Sequence, residues 1–212
     1  MDRMTKSKFE SMTKKEKAAY IWDYYKWHII IGIIVIALVA NLITSITTRK
    51  DTILDVTLLG KYIDSNKQDA FKKTLDKKFV TNIKKQETQV EFLFYDKNSK
   101  DQMAIASIQK FQALAVSASL DVVVLDKDDF NLYAGQGLFM ELDKIPELSN
   151  LSSKFVSSSG DQNTSKAPLG ITADDVKVLK DLGYDTQNKI ITIASNTKHK
   201  QNAINFIKYI FE

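Results

Sequence analysis

The chain has 212 residues, 30 Lys/Arg against 26 Asp/Glu, a formal net charge of +4 and no cysteine. The absence of thiols excludes disulfides, thiolate metal sites and a lipid-modified cysteine anchor. The basic excess lies at the start: residues 1–28 hold seven Lys/Arg and four acids, whereas residues 49–212 hold 23 and 22, a mixed surface that speaks against a nucleic-acid partner.

Residues 27–48 read WHIIIGIIVIALVANLITSITT, with no formal charge between Lys26 and Arg49. Twenty-two residues at about 1.5 Å each make roughly 33 Å of helix, enough to cross a bilayer core of about 30 Å. Inside lipid every backbone polar group must pair within the segment, so the span is expected to be helical. Asn41 is its polar interruption, either a tolerated residue near the far interface or a donor to a partner helix. Just before the span stand Tyr20, Trp22, Tyr24, Tyr25 and Trp27. Such rings favour the headgroup layer, so these five are expected at the membrane interface. Lys/Arg bias puts residues 1–26 in the cytoplasm as a basic, interfacial segment and residues 49–212 outside the cell membrane. A cleaved secretory signal would have a shorter apolar core and a small-residue cleavage site, so an uncleaved anchor is expected.

The remaining length suits one domain. ILDVTLLG, 53–60, reads as a strand, and Asp64 or Ser65 can cap a helix over 65–79 with Phe71, Leu75 and Phe79 on one face. VEFLFY, 90–95, is a second strand. Ser99 with Gln102 resembles a capping box for a helix over 100–118. DVVVL, 121–125, is a near-continuous apolar strand, and a short helix over 127–134 follows. LFMELD, 138–143, reads as a short edge element, and the Ser-rich segment 149–168 as a loop. Thr172 with Asp175 is expected to cap a helix carrying Val176, Leu179 and Leu182, ended by Gly183. KIITIAS, 189–195, is a fourth strand, and a helix over 198–211 closes the chain. The alternation predicts an α/β domain with a mainly parallel sheet flanked by helices.

Motifs for catalysis are not evident. His28 lies at the membrane edge and His199 in the polar run NTKHKQ, read as a solvated helix start, so the two do not suggest a shared metal site. No G-x-S-x-G elbow and no Walker lysine occur, and Gly135-Gln136-Gly137 lacks a third glycine. No cofactor is expected. Asp126, Asp128 and Asp129 have two readings, helix-dipole capping or a cation or ligand site. Open α/β sheets bind ligands at the carboxyl ends of their strands, which makes Asp96 and Asp126, with Asp128, the positional candidates for a ligand site.

DVVVLDKDDFNLYAGQGLFMELD, 121–143, resembles the extracellular solute-binding proteins of ABC importers. There a strand ends in an acid, and a short helix and a glycine-linked turn lead to a Leu-x-x-Leu-Asp pattern, to which Leu138–Asp143 (LFMELD) corresponds with one extra residue between the leucines. The closing segment 193–212 looks like that family's return strand and helix, with Asn196, Ala203, Phe206 and Ile207 as landmarks. The family has two lobes and exceeds 300 residues, whereas 49–212 has room for one lobe, so solute-contact residues do not carry over. The resemblance implies a reduced, membrane-anchored, single-lobe relative acting as a non-catalytic recognition or accessory subunit of a transporter-type membrane complex. The alternative is a stand-alone extracellular binder of a small molecule or peptide, with its cleft at the ends of strands 53–60, 90–95 and 121–125. An enzyme would require a cluster of perturbed carboxylates in a pocket.

Overall fold

The computed structural model describes residues 12–47, 49–60, 63–94, 101–159 and 166–212. The chain divides into two compact units, Met1–Arg49 and Lys50–Glu212.

The described residues of the first unit form α1, Lys14–Thr47. A reciprocal cap starts it: the Thr13 backbone N–H donates to Glu16 Oε2 at 2.8 Å, and the Glu16 N–H donates to Thr13 Oγ1 at 3.4 Å. These bonds from Thr13 hold the Glu16 carboxyl below its usual range. Trp22–Thr44, 23 residues, is long and apolar enough to cross a membrane, and none of its most apolar stretch is buried. Tyr20, Trp22, Tyr24, Tyr25 and Trp27 are all exposed along the same helix, with Tyr20 stacked on Tyr24 at 6.3 Å.

The second unit is a three-layer α/β fold. Its elements are β1 (Asp51–Gly60), α2 (Ser65–Phe79), β2 (Gln86–Phe94), α3 (Gln102–Val116), β3 (Val122–Asp126) and α4 (Lys127–Gly135). A 3-10 helix, Pro146–Lys154, then leads to β4 (Phe155–Ser157), β5 (Pro168–Thr172), α5 (Lys177–Asp181), β6 (Lys189–Ile193) and α6 (Lys200–Phe211). The sheet order is β2-β1-β3-β6-β5-β4. β1 pairs parallel with β2 and β3, whereas β3–β6, β6–β5 and β5–β4 are antiparallel. The expected mainly parallel sheet therefore holds for the β2-β1-β3 half. β6 instead runs antiparallel to both β3 and β5, so the other half of the sheet departs from that expectation.

Strand alternation divides the core. Leu54, Val56 and Leu58 of β1 and Val122 and Val124 of β3 face Phe71 and Leu75 of α2 and Ile204, Phe206 and Ile207 of α6. Leu59, Val123 and Leu125 face Phe111 of α3 and Phe130 and Tyr133 of α4. The free edge of β2 is occupied by α2: Thr88 N–H donates to Asp76 Oδ1 at 2.7 Å, and Gln68 Nε2 donates to the Val90 carbonyl at 2.8 Å. Side chains thus satisfy groups that an open edge would offer to another strand.

Several expected boundaries change. Asp101, not Ser99, caps α3, accepting from the Met103 N–H at 3.0 Å; Ser99 lies outside the described residues. Segment 138–143 contributes one isolated bridge, Phe139 to Ala194. The expected loop over 149–168 begins as 3-10 helix and edge strand β4, because Leu148, Leu151 and Phe155 pack on the core. Thr172 caps no helix. It ends β5, and its hydroxyl donates to Asp174 Oδ2 at 2.9 Å, so α5 starts late, at Lys177. Gly183, at φ +83°, follows α5 as expected and its N–H donates to the Lys180 carbonyl at 2.8 Å.

Candidate functional site

A cavity of about 590 Å³ opens at the amino ends of β1 and β3, on the α3 side of the sheet. Its position follows from alternation. Asp55 falls on the same face of β1 as Leu59, and Gln89 and Glu91 on the same face of β2 as Leu93, so polar groups replace the apolar ones at this end of the α3 layer. The lining includes Leu114, Ala118 and Ser119 from the end of α3 and its following turn, and Lys198 and His199 before α6. Ala118 makes that turn in the left-handed region, at φ +53°.

Asp121 organises the floor. It is 2% exposed, immediately precedes β3, and uses its carboxylate where the β1–β3 pairing has not yet begun. Asp121 Oδ2 accepts the Asp55 backbone N–H at 2.7 Å and lies 2.9 Å from His199 Nδ1. Asp121 Oδ1 accepts the Thr197 hydroxyl. Thr197 in turn accepts the His199 N–H at 3.0 Å, which locks the chain entering α6 onto the start of β3.

Asp55 is the chemically distinctive group. It is 5% exposed, and its Oδ1 accepts the Thr57 hydroxyl at 2.8 Å. Burial pushes its carboxyl from the ordinary 3.8 up to about 7; the Thr57 bond opposes the rise, the charges of Asp121 and Glu91 add to it, and Lys110 counters it. Glu91 is ion-paired with Lys110. Asp121 spends both oxygens on structural bonds, which leaves Asp55 able to hold or release a proton inside the cavity. That is a perturbed carboxyl in a pocket, but among the described residues no group of three or more His, Asp or Glu is placed to hold a metal ion.

The carboxyl end of the parallel strands, where the sequence places its candidates, is arranged differently. Asp126 accepts an ion pair from Lys189 Nζ at 2.9 Å, and Lys189 is 6% exposed. Lys189 Nζ also donates to the Leu59 carbonyl at 3.4 Å, to which the Tyr184 hydroxyl donates at 2.6 Å. Burial, then the nearby Asp126 and Asp185 charges, raise the Tyr184 hydroxyl well above its usual range. Asp126 precedes α4 without a side-chain cap bond, and Asp128 and Asp129 occupy the helix's first turn. Asp128 is exposed, and Asp96 lies outside the described residues.

Sequence reasoning missed Asp55, Asp121 and His199 as a group. His199 is not a solvated helix start but is two-thirds covered and held by a buried carboxylate. A signal was present: ILDVTLLG carries Asp55 and Thr57 inside an otherwise apolar strand, and a polar pair buried in such a strand needs partners.

The described residues thus define a mixed α/β unit with a six-stranded sheet, preceded in sequence by a helix able to cross a membrane. No family model matches the chain, and no curated protein matches it. A similar solved structure is an extracellular solute-binding protein of family 1 from Alicyclobacillus acidocaldarius subsp. acidocaldarius DSM 446. The identity is 15% and the TM-score 0.37, over 59% of this chain and 28% of that one. The chain thus spans less than a third of that structure's length. A likeness of this size carries no argument about ligand or partner.

Proposed function

We propose that this chain is a single-pass membrane protein whose N-terminus is cytoplasmic and whose α/β unit, 50–212, is presented outside as a non-catalytic recognition or accessory subunit of a membrane complex. The observation that carries the reading is α1. It exposes Ile31, Ile33, Ile34, Val35, Ile36 and Leu38, while residues 50–212 bury a core of their own. Water is a poor solvent for that stripe and lipid a good one. The Lys/Arg bias before the helix supports the orientation. An ABC transporter as the complex is supported by the sequence resemblance of 121–143 and 193–212. The test is alkaline carbonate extraction followed by purification in mild detergent. The expected result is a chain that stays with the membrane pellet and recovers an integral membrane partner at fixed ratio. Release into the carbonate supernatant, or recovery of the free monomer alone, contradicts the proposal.

A second reading, a stand-alone extracellular binder of a small molecule or peptide, is favoured by the cavity around Asp55. Thermal shift of the full chain in detergent against sugars, peptides, amines and metal ions tests it, because a ligand of the folded state raises the melting temperature. No response to any class contradicts it.

A further inference from the structure

We infer that α1 carries the interface of a parallel dimer of this chain, in which two copies pack along Ile30, Ile34, Ala37, Asn41 and Thr44 and the two Asn41 side chains hydrogen-bond to each other inside the membrane. The inference rests on the membrane reading of α1 above and adds a second copy of the chain as its partner.

Three observations carry it. The five residues recur at alternating spacings of four and three, which on a helix makes one narrow stripe, the seam of a left-handed helix pair. All five are exposed along α1. Within the stripe, Thr44 is satisfied by its own helix, its hydroxyl donating to the Ala40 and Asn41 carbonyls at 3.0 and 2.9 Å. The Asn41 side-chain amide has no such bond among the described residues.

Depth makes that amide costly. With Trp27 at one interface, Asn41 lies 14 residues further along the helix. That is about 21 Å, which leaves it about 9 Å inside the far edge of a hydrocarbon core of about 30 Å. Lipid tails offer neither donor nor acceptor, and the short Asn side chain does not reach back to water as a lysine does.

A second copy is the occupant this chemistry selects. Copies inserted the same way share one orientation, so a two-fold axis along the membrane normal sets each seam residue against its own equivalent. A carboxamide both donates and accepts, so Nδ2 of one Asn41 meets Oδ1 of the other and the buried amides satisfy each other. Ala37, one turn earlier, is small enough for the two backbones to approach at that level. No formal charge lies between Lys26 and Arg49 to oppose the contact.

The experiment is energy transfer between two colours of the full chain in vesicles of phosphatidylethanolamine and phosphatidylglycerol, each colour placed on a cysteine added after Glu212 of this cysteine-free chain. Transfer that rises with the protein-to-lipid ratio and saturates as a dimer is expected. Asn41→Leu is expected to raise the dimer dissociation constant about 3- to 30-fold, the range of one or two interhelical hydrogen bonds, and Asn41→Gln to retain most of the dimer. Oxidative cross-linking reads the seam separately. Ala37→Cys is expected to give a disulfide-linked dimer, and Val39→Cys, about 200° round the helix, is not. The inference is overturned by absent transfer, by an Asn41→Leu variant that dimerises as the unmodified chain does, or by Val39→Cys cross-linking as readily as Ala37→Cys. A monomer whose Asn41→Leu variant loses an integral membrane partner also overturns it, because the amide then serves that partner's helix. Carbonate extraction of the same variants keeps the two readings apart: a chain that stays in the pellet without transfer fails this inference alone, whereas release into the supernatant contradicts both.

Discussion

Replacing Asp55 by Asn should make the protein more stable in alkali than the unmodified chain, and the structure sets the size of the effect. Asp55 is 5% exposed, and its carboxyl is raised from 3.8 to about 7, first by burial and then by the Asp121 and Glu91 charges. A raised carboxyl means that the folded state holds its proton more tightly than the unfolded chain does. The cost is absent below pH 3.8, where Asp55 is protonated in both states. It accumulates as pH rises and is complete above about 7. At about 1.4 kcal/mol for each tenfold change in proton affinity, ionising Asp55 within the fold costs about 4 kcal/mol. The asparagine amide stays neutral, and its oxygen can still accept the Thr57 hydroxyl, so most of that cost disappears. Thermal unfolding followed by circular dichroism, on the full chain in detergent from pH 4 to pH 8, gives the difference directly. Near pH 4 the two proteins should melt together; at pH 8 the variant should melt higher, by on the order of 10 °C. Parallel profiles across the range would show that Asp55 ionises as an exposed carboxyl does and would refute the reasoning.

Asp76 should behave in the opposite sense. Burial opposes ionisation there, but the Thr88 N–H and hydroxyl, at 2.7 and 2.8 Å, and Lys72 prevail and lower its carboxyl below 3.8. Its contribution is present above pH 3.8 and is lost as pH falls through the lower folded value. Asp76→Ala should cost about 1–3 kcal/mol at neutral pH by stranding the buried Thr88 donors, measured by denaturant unfolding, and wild-type behaviour would contradict the edge-capping role. Gly170→Ala should destabilise by about 1–3 kcal/mol, because a methyl there would stand 2.3 Å from Ile190 Cγ2 and 3.0 Å from Phe130 Cε2. Phe206→Ala removes a fully buried ring set edge-on to Phe71 and should cost about 3–5 kcal/mol; a smaller loss would mean the α6 face repacks.

The first half of the α/β unit is legible in the chain because its signals are local. Phe71 and Leu75 mark the buried face of α2, and the apolar runs of β1 and β3 report strands covered on both sides. The second half resists because its elements are short and held by distant partners. PLGIT of β5 is a strand because Ile171 and Thr172 pair with Ile191 and Ile190 on one side and Pro168, Gly170 and Ile171 pair with β4 on the other. The cavity was harder still. The general rule for parallel sheets points to carboxyl ends, where Lys189 and Tyr184 occupy the space beside Leu59 and Asp126. The buried Asp55 carboxyl stands at the other end, and Asp121 and His199, 78 residues apart in sequence, meet there only through the fold. Asp55 within ILDVTLLG was the readable clue.

In the proposed topology α1 holds residues 50–212 on the outer side of a membrane. Protease added to intact cells expressing the chain with a different tag at each end tests it most directly. The account predicts loss of the C-terminal tag and survival of the N-terminal tag on a membrane-bound fragment. Survival of the C-terminal tag with loss of the N-terminal one, or recovery of the chain in the soluble fraction, would contradict it.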